Sequence, residues 1–392
     1  LSMTAAHDSH KTARPYLTEE HHMFRESLRK FLEKEVEPHF EKWEEDEFIP
    51  RSYWNRMGEN GYLCPQVSPE YGGLGLDFGF SIVLAEEIGK VGGGLGGPGL
   101  HSSIVVPYLE SFGTEEQKRK YLPKCISGEI VTAIAMTEPA AGSDVAGIRT
   151  TAVRQGDHYI VNGEKTFITN GIHADLIIVA VKTDPKATPA HKGVSLLLVE
   201  RDTPGFSRGK KLKKVGLRSQ DTAELIFEDA KVPVSQLLGE EGKGFYYLMH
   251  KLQQERILAA AGALVAAEDM LELTISYVKQ RKAFGRPIST FQNTQFEIAE
   301  MATDVQMART FVDDLIVRHM QGQDVVTQVS MAKWWITDMA RRMAPRCMQL
   351  HGGYGFMEEY KIARRYRDIA VSPIFAGSNE IMKVIIAKNL GL

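Results

Sequence analysis

The sequence predicts an α+β, mostly α chain with three units in order: an N-terminal α-helical domain, a middle β-domain and a C-terminal four-helix domain. Three observations support this. At 392 residues the chain exceeds what one hydrophobic core usually supports. The apolar spacing is helical in the first third, changes to two between about residues 130 and 240, and turns helical again. Helix, sheet and helix follow one another instead of alternating, which favours segregated units over an α/β fold.

Residues 1–16 are set aside as a disordered N-terminus whose LSM reads as an expression scar. In 17–129, YLTEEHHMFRESLRKFLEKEVEPHFEKWEE carries apolar residues at three- and four-residue spacing between charges. Thr114 followed by Gln117 marks a helix start by capping-box spacing. His21 and His22 adjoin on one helix and point about 100° apart, so surface positions are expected, not a metal site. The cluster VGGGLGGPG contains G-x-G-x-x-G from Gly92 through Gly94 to Gly97, but FGFSIVLAEEIGK before it has helical spacing. A dinucleotide fingerprint must follow a strand, so a loop between helices is expected.

In 130–241, HYIVNGEKTFITN, ADLIIVAVKT, GVSLLLVE and TAELIFEDA are strands separated by Gly, Asp, Asn and Pro turns. In 242–392, long helical windows at 244–281, 291–320, 324–349 and 378–390 fit a bundle.

A 43% apolar and 25% charged composition with net charge −3 gives no electrostatic argument for nucleic acid or an anionic membrane. No run approaches the roughly 20 apolar residues of a membrane span. The N-terminus lacks a secretory core, leaving bacterial cytoplasm or, for a processed eukaryotic form, mitochondrial matrix. Cys64, Cys125 and Cys347 have no metal-ligand spacing; no metal is expected, and buried thiols in a reducing compartment are. P-loop, zinc-hydrolase and esterase motifs are absent.

Two stretches carry candidate chemistry. AMTEPAAGSDVAG, residues 135–147, is either a tight turn or a loop whose N–H groups and Thr137 and Ser143 hydroxyls meet a polar ligand. In KLQQERILAA, Glu255 shares a helical face with Phe245, Leu248, Leu252, Ala259 and Gly262. A carboxylate on an apolar face is paired or put to use, because burying an unpaired charge costs several kcal/mol.

TEPAAGSD, EKTFITNG, VKQRKAFGRPISTFQ, MQLHGGYGF and IFAGSNEIM occur in this order in acyl-CoA dehydrogenases, and the chain resembles that family over about residues 17 to 390, most of all its long-chain branch. The resemblance implies an FAD enzyme, usually a homotetramer built as a dimer of dimers, that converts acyl-CoA to trans-2-enoyl-CoA in fatty-acid β-oxidation. Electron-transferring flavoprotein is the implied acceptor. By motif, Met136, Thr137, Gly142 and Ser143 resemble the flavin-side loop, Ser143 also facing substrate. Phe167, where tryptophan is common, and Thr169 resemble the second flavin contact. Arg281, Phe284, Gln292, Gln349 and Gly353 resemble residues that reach the FAD of a neighbouring subunit. Ser378 and Glu380 resemble further cofactor contacts, and Leu252, Arg256, Phe375 and Gly377 substrate contacts.

Many members of the family carry the catalytic carboxylate immediately before the Gly-Thr or Gly-Ser pair of the last motif. Here that position is Ala376, whose methyl group cannot accept a proton. The long-chain and isovaleryl branches place the base on the first long helix of the C-terminal domain, where Glu255 matches. The resemblance leaves Ala376 a backbone role, its N–H directed at the thioester oxygen. For Arg256, a place near CoA or the substrate loop stands against a structural salt bridge. The leading reading is a dehydrogenase of medium-to-long straight acyl chains. Its alternatives are a branched-chain or isovaleryl-type dehydrogenase, an oxidase and a noncatalytic flavoprotein or interaction module.

Overall fold

The computed structural model describes residues 14–392, and the first thirteen residues of the expected disordered N-terminus lie outside the described ones. The N-terminal helices are α1 (Glu19–Glu35), α2 (Glu37–Glu45), α3 (Arg51–Glu59), α4 (Phe78–Val91), α5 (Val106–Phe112) and α6 (Glu115–Ser127). The capping box of α6 forms as its spacing predicts: Gln117 N–H donates to the Thr114 hydroxyl at 3.1 Å, and Gln117 Oε1 accepts from Thr114 N–H at 3.0 Å. The glycine cluster forms a 3-10 turn, Gly93–Leu95, then a short helix, Gly97–Leu100. A π-helical turn, His101–Val105, follows and leads into α5.

Eight strands follow: β1 (Thr132–Ala135), β2 (Thr151–Gln155), β3 (His158–Thr169), β4 (Leu176–Lys182), β5 (Val194–Glu200), β6 (Phe206–Lys211), β7 (Thr222–Pro233) and β8 (Leu237–Leu238). Their order is β6-β7-β3-β2-β4-β5-β8, with β1 parallel to β4. Strand β4 reads as an unbroken apolar run because both its faces are covered. Ile178 and Ala180 on β4, with Leu196 and Leu198 on β5, pack into the core of the N-terminal helices. The alternate residues Ile177, Val179, Leu197 and Val199 fill the β-domain's own core.

The C-terminal helices are α7 (Gly244–Gln280), α8 (Gln292–Met320), α9 (Val326–His351), α10 (Lys361–Asp368) and α11 (Asn379–Asn389). Ala260, Leu264, Ala267 and Met270 of α7 meet Met301, Val305 and Val312 of α8 and Ile336, Ala340 and Met343 of α9 in one core. Ile82 of α4 joins this core, so the bundle and the N-terminal domain share a buried seam.

Charges cross that seam. Glu86 on α4 receives both Nη atoms of Arg14, at 2.6 and 2.8 Å, with Arg25 at 3.6 Å and Arg309 of α8 at 3.9 Å. Tyr16 donates to Asp313 of α8 at 2.8 Å. Arg14 and Tyr16 are thus tied into the fold, which corrects the expectation that disorder runs to residue 16. His21 is also buried: it completes a capping box with Thr18 and lies 2.8 Å from Asp77. Its expected surface position is wrong because a ring that satisfies a helix cap and an aspartate can be enclosed without an unpaired nitrogen.

Burial pushes the Glu86 carboxyl up, but Arg14, Arg309 and Arg25 outweigh it and hold it down at about 2, against 4.5 ordinarily. A carboxyl with a lowered folded value stabilises the protein above its unfolded value, and that contribution is lost as pH falls from about 4.5 toward 2. Glu86→Gln leaves the arginines short of a partner and is expected to cost about 3 kcal/mol. Denaturant melts at neutral pH and near pH 3 check this, the gap between wild type and variant narrowing in acid.

Candidate active site

Residue 255 stands on α7 where that helix leaves the N-terminal domain for the bundle. Next to it the π-helical turn leaves the Ser103 carbonyl to accept from Gln254 Nε2 at 2.7 Å. Lys251 donates to Ser111 Oγ at 2.6 Å. These bonds hold α5 alongside α7 and bring the fully buried Tyr108 toward Glu255, whose charge acts on its phenol. Among the described residues the Tyr108 hydroxyl has no partner. Among the described residues, no hydrogen bond or ion pair holds the half-buried Glu255 carboxyl. Burial pushes its pKa up, and Arg256 and Lys333 pull it partly back.

The loop before α11 closes this site. Ala376 has φ +54° and Gly377 φ +82°, two successive residues in the left-handed region. For the alanine this costs about 1–2 kcal/mol. A side chain on Gly377 would stand 3.2 Å from Arg256 Nη2 and 2.8 Å from the Met382 methyl, so only glycine lets the guanidinium lie against the turn. Among the described residues Arg256 Nε is buried and unpartnered, and its side chain makes no ion pair within 4.0 Å, so no salt bridge is seen there. The Ala376 N–H has no acceptor among the described residues. Ser378 caps α11 by accepting from Ile381 N–H at 3.3 Å, and Glu380 is exposed in the first turn. Phe375 is exposed, and Leu252, one turn before Glu255, is half-buried.

Lys333 was missed by sequence reasoning. Fully buried on α9, it donates to the Gly377 carbonyl at 2.7 Å and to Asn379 Oδ1 at 3.0 Å. Burial and Arg256 lower its pKa to about 8, against the pull of Glu380 and Glu255. The signal was present: Val329, Ser330, Lys333, Ile336, Thr337 and Ala340 recur at three- and four-residue spacing, placing a lysine on an otherwise enclosed face.

A second group lies on the β-domain. Met136 and Thr137 are half-buried, while Gly142 and Ser143 are exposed. The loop is pinned from beneath by fully buried Lys165, which donates to the Met136 carbonyl at 2.9 Å and to Glu138 Oε2 at 2.8 Å. Glu138 also accepts from the N–H groups of Arg149 and Thr150. Thr166 N–H donates to the Thr137 carbonyl at 2.9 Å and fixes the loop beside β3. The β3–β7 pairing breaks between Lys165 and Ile168, and within that bulge Phe167 has φ +59° and a 68% exposed side chain. Half-buried Thr169 stands two residues on.

A third group lies elsewhere. From Glu255 to Arg281, 26 helical residues span about 39 Å. At that far end Arg281 lies over the Tyr354 ring at 5.6 Å, beside the turn that contains Gly353. Gln292 and Gln349 are exposed, and Phe284, at φ +52°, is 95% exposed. No acidic side chain pairs with Arg281 among the described residues. These five cannot reach the Glu255 site of their own chain.

The residues fit the FAD that the sequence resemblance implies. The β-domain group offers an aromatic face turned to solvent, a Thr169 hydroxyl without a partner among the described residues and a Gly142 where a Cβ would meet nothing within 4 Å. The distant group offers an unpaired guanidinium beside open glycines, suited to a pyrophosphate. Lys165→Met frees the Met136 carbonyl and strands Glu138; FAD Kd, read by flavin fluorescence, is expected to rise about tenfold, with a lower Tm.

Comparison with known proteins agrees with this layout. The profiles of the acyl-CoA dehydrogenase N-terminal, middle and C-terminal domains match residues 18–129, 133–230 and 242–391. The mitochondrial long-chain specific acyl-CoA dehydrogenase of Rattus norvegicus is 47% identical over 380 residues, 96% of this chain and 88% of that protein. An acyl-CoA dehydrogenase of Bacillus subtilis is 40% identical over 376 residues, 96% of this chain and 99% of that one. The crystal structure of acyl-CoA dehydrogenase from Geobacillus kaustophilus superposes with a TM-score of 0.96 at 67% identity, covering 96% of this chain and 99% of the other. Among the described residues no helix is long and apolar enough to cross a membrane. The chain belongs to the acyl-CoA dehydrogenase family, FAD-dependent flavoprotein oxidoreductases of fatty-acid oxidation.

Proposed function

We propose that the protein removes the α-proton and β-hydride of medium-to-long straight-chain acyl-CoA thioesters, giving trans-2-enoyl-CoA, with Glu255 as the base. The observation that carries this reading is a half-buried carboxyl on an apolar helix face with no hydrogen-bond partner, in a chain whose residue 376 is alanine.

A carboxylate at its ordinary value is a weak base for a thioester α-proton. Burial raises Glu255, and an acyl chain that displaces water raises it further. Proton transfer from the α-carbon to a Glu255 oxygen puts enolate charge on the thioester oxygen. The unpaired Ala376 N–H is the donor to meet it. When bound, FAD supplies the acceptor for the β-hydride. Met136, Thr137, Gly142, Ser143, Phe167 and Thr169 would hold its ring, Phe167 covering it from water and the Thr169 hydroxyl supplying a hydrogen bond, with Ser378 and Glu380 close by. Arg281, Phe284, Gln292, Gln349 and Gly353 would reach the FAD of a neighbouring subunit, in keeping with a homotetramer. A left-handed, 95% exposed phenylalanine at 284 supports a covering partner. Arg256 would support the loop of Phe375 and Gly377, with Leu252 along the acyl path.

The long-chain specificity named for the rat relative supports the chain-length reading. So does Gly262, two turns beyond Glu255 on the same face, where a Cβ would meet nothing within 4 Å. Electron-transferring flavoprotein is the proposed electron acceptor.

Glu255→Gln is expected to keep FAD and bind acyl-CoA while losing anaerobic flavin bleaching by at least about a thousandfold. Wild-type bleaching in that variant would refute the base. In the wild type, the bleaching rate should fall with decreasing pH through an apparent value above the ordinary carboxylate range, because only the ionised form accepts the proton and burial raises its pKa. Flavin reduction by a ladder of acyl-CoAs should peak at medium-to-long straight chains; a maximum at isovaleryl-CoA would give the branched-chain reading instead.

A further inference from the structure

Lys333 has no place in the chemistry above, yet two facts tie it to that chemistry. Its ammonium is fully enclosed and directs hydrogen bonds to Gly377 O at 2.7 Å and Asn379 Oδ1 at 3.0 Å, immediately after Ala376, whose N–H is the proposed donor to the thioester. That residue, Ala376, is held in a left-handed conformation that is strained for an alanine and that this restraint helps to keep. The restraint is itself well anchored: Asn379 Nδ2 donates to Trp334 O at 3.2 Å and engages Thr337 Oγ1 at 3.0 Å, so the loop is tied to two turns of α9.

The second fact is electrostatic. The charged and titratable groups that face Glu255 are Arg256 on its own helix, Lys333 on α9 and the phenol of Tyr108 on α5. Those that face Lys333 are Arg256, Glu380 and Glu255. A buried ammonium is costly unless something uses its charge. A structural pin for the start of α11 needs only a neutral donor, and Arg256 already packs against the same turn.

We propose that Lys333 is a positioning residue of the reaction, clamping the strained 376–377 turn so that the Ala376 N–H stays aimed into the site while its charge favours the carboxylate form of Glu255. The second part rests on Glu255 being the base. The two roles belong together: a substrate that excludes water strips Glu255 of hydration, and a fixed cation behind the loop is not displaced with that water.

The test is anaerobic single-turnover reduction of the FAD-loaded enzyme by acyl-CoA across pH, for wild type, Lys333→Met, Lys333→Arg and Asn379→Ala. In Lys333→Met the plateau rate is expected to fall on the order of ten- to a hundredfold, and the acid limb to move to higher pH because Glu255 loses a neighbouring cation. Lys333→Arg keeps the limb at its wild-type pH. Asn379→Ala keeps the ammonium and the limb but loses plateau rate. A limb that stays in place in Lys333→Met, or a wild-type plateau in Asn379→Ala, overturns the proposal. Should Lys333→Met fail to retain FAD, Lys333→Gln, neutral but still a donor, carries the charge comparison.

Equilibrium binding gives a readout apart from turnover. Wild-type preference for an enoyl-CoA over the S-alkyl-CoA thioether of the same chain, which has no carbonyl, should shrink in Asn379→Ala; an unchanged preference counts against the clamp. Failure of the base reading is separately visible, because Glu255→Gln would then bleach normally while this binding contrast still judges the clamp.

Discussion

The site depends on a carboxyl placed where the protein supplies burial and nearby positive charge but no hydrogen bond. Glu255 has Arg256 and Lys333 within electrostatic reach and, among the described residues, no partner on its oxygens. An unpaired buried carboxyl is destabilising, and a fold keeps one only where neighbouring structure over-determines it. That structure is visible on every side. Gln254 and Lys251 tie α7 to the helical run before and within α5, the Lys333 clamp ties the 376–379 loop to α9, and the Glu86 cluster locks the N-terminal domain to the bundle. Glu86 and Glu255 show how environment divides one chemistry. Three arginines hold the first well below its ordinary value, whereas two cations without a direct bond leave the second raised.

Helix α7 connects the parts. Its first residue, Gly244, approaches the Ser195 backbone so closely that a Cβ would stand 2.9 Å from it, which fixes the helix start against β5. One residue in its middle would do proton chemistry, and its far end presents Arg281 beside the 352–356 turn. A straight helix cannot return across about 39 Å from Arg281 to Glu255. At that end, among the described residues, Arg281 has no acidic partner and Phe284 is left-handed and exposed, which supports the proposal that they meet the FAD of a neighbouring subunit.

The three-layer order was legible because apolar spacing changes from helical to alternating and back, and the α6 start was legible in its capping box. Glu255 was legible as an acid on an apolar face, and the alanine at 376 gave it weight. Lys333 carries the same kind of signal as Glu255, a charge among enclosed helical positions, yet a lysine's long stem lets its head reach solvent from many such faces. Only the loop from 44 residues later shows what the ammonium meets. His21 misled for a related reason: its partner Asp77 lies 56 residues away, so nothing local announces that the ring is satisfied. The pinning of Arg14 by Glu86, 72 residues on, is equally non-local. Phe167 was readable as an aromatic in a motif, but its outward aim comes from a bulge in the pairing with β7.

On the proposed reading, placing the acid on α7 instead of at residue 376 would separate two jobs. Where one residue supplies both a side-chain base and a backbone donor, any shift of the loop moves both. Here a helical residue, Glu255, holds its Cα within a hydrogen-bonded rod, and on that reading the loop would need only to present an N–H. Its left-handed geometry, which a methyl side chain tolerates at modest cost, becomes free to serve the donor alone. The division also explains the crowding of cations at this point. A helix-borne carboxyl gains nothing from the loop's backbone, so its charge must be balanced from side chains, and Arg256 stands beside it on α7 and Lys333 on α9. Both also touch the 377 turn, so the cations beside the proposed base are the ones that shape the proposed donor loop.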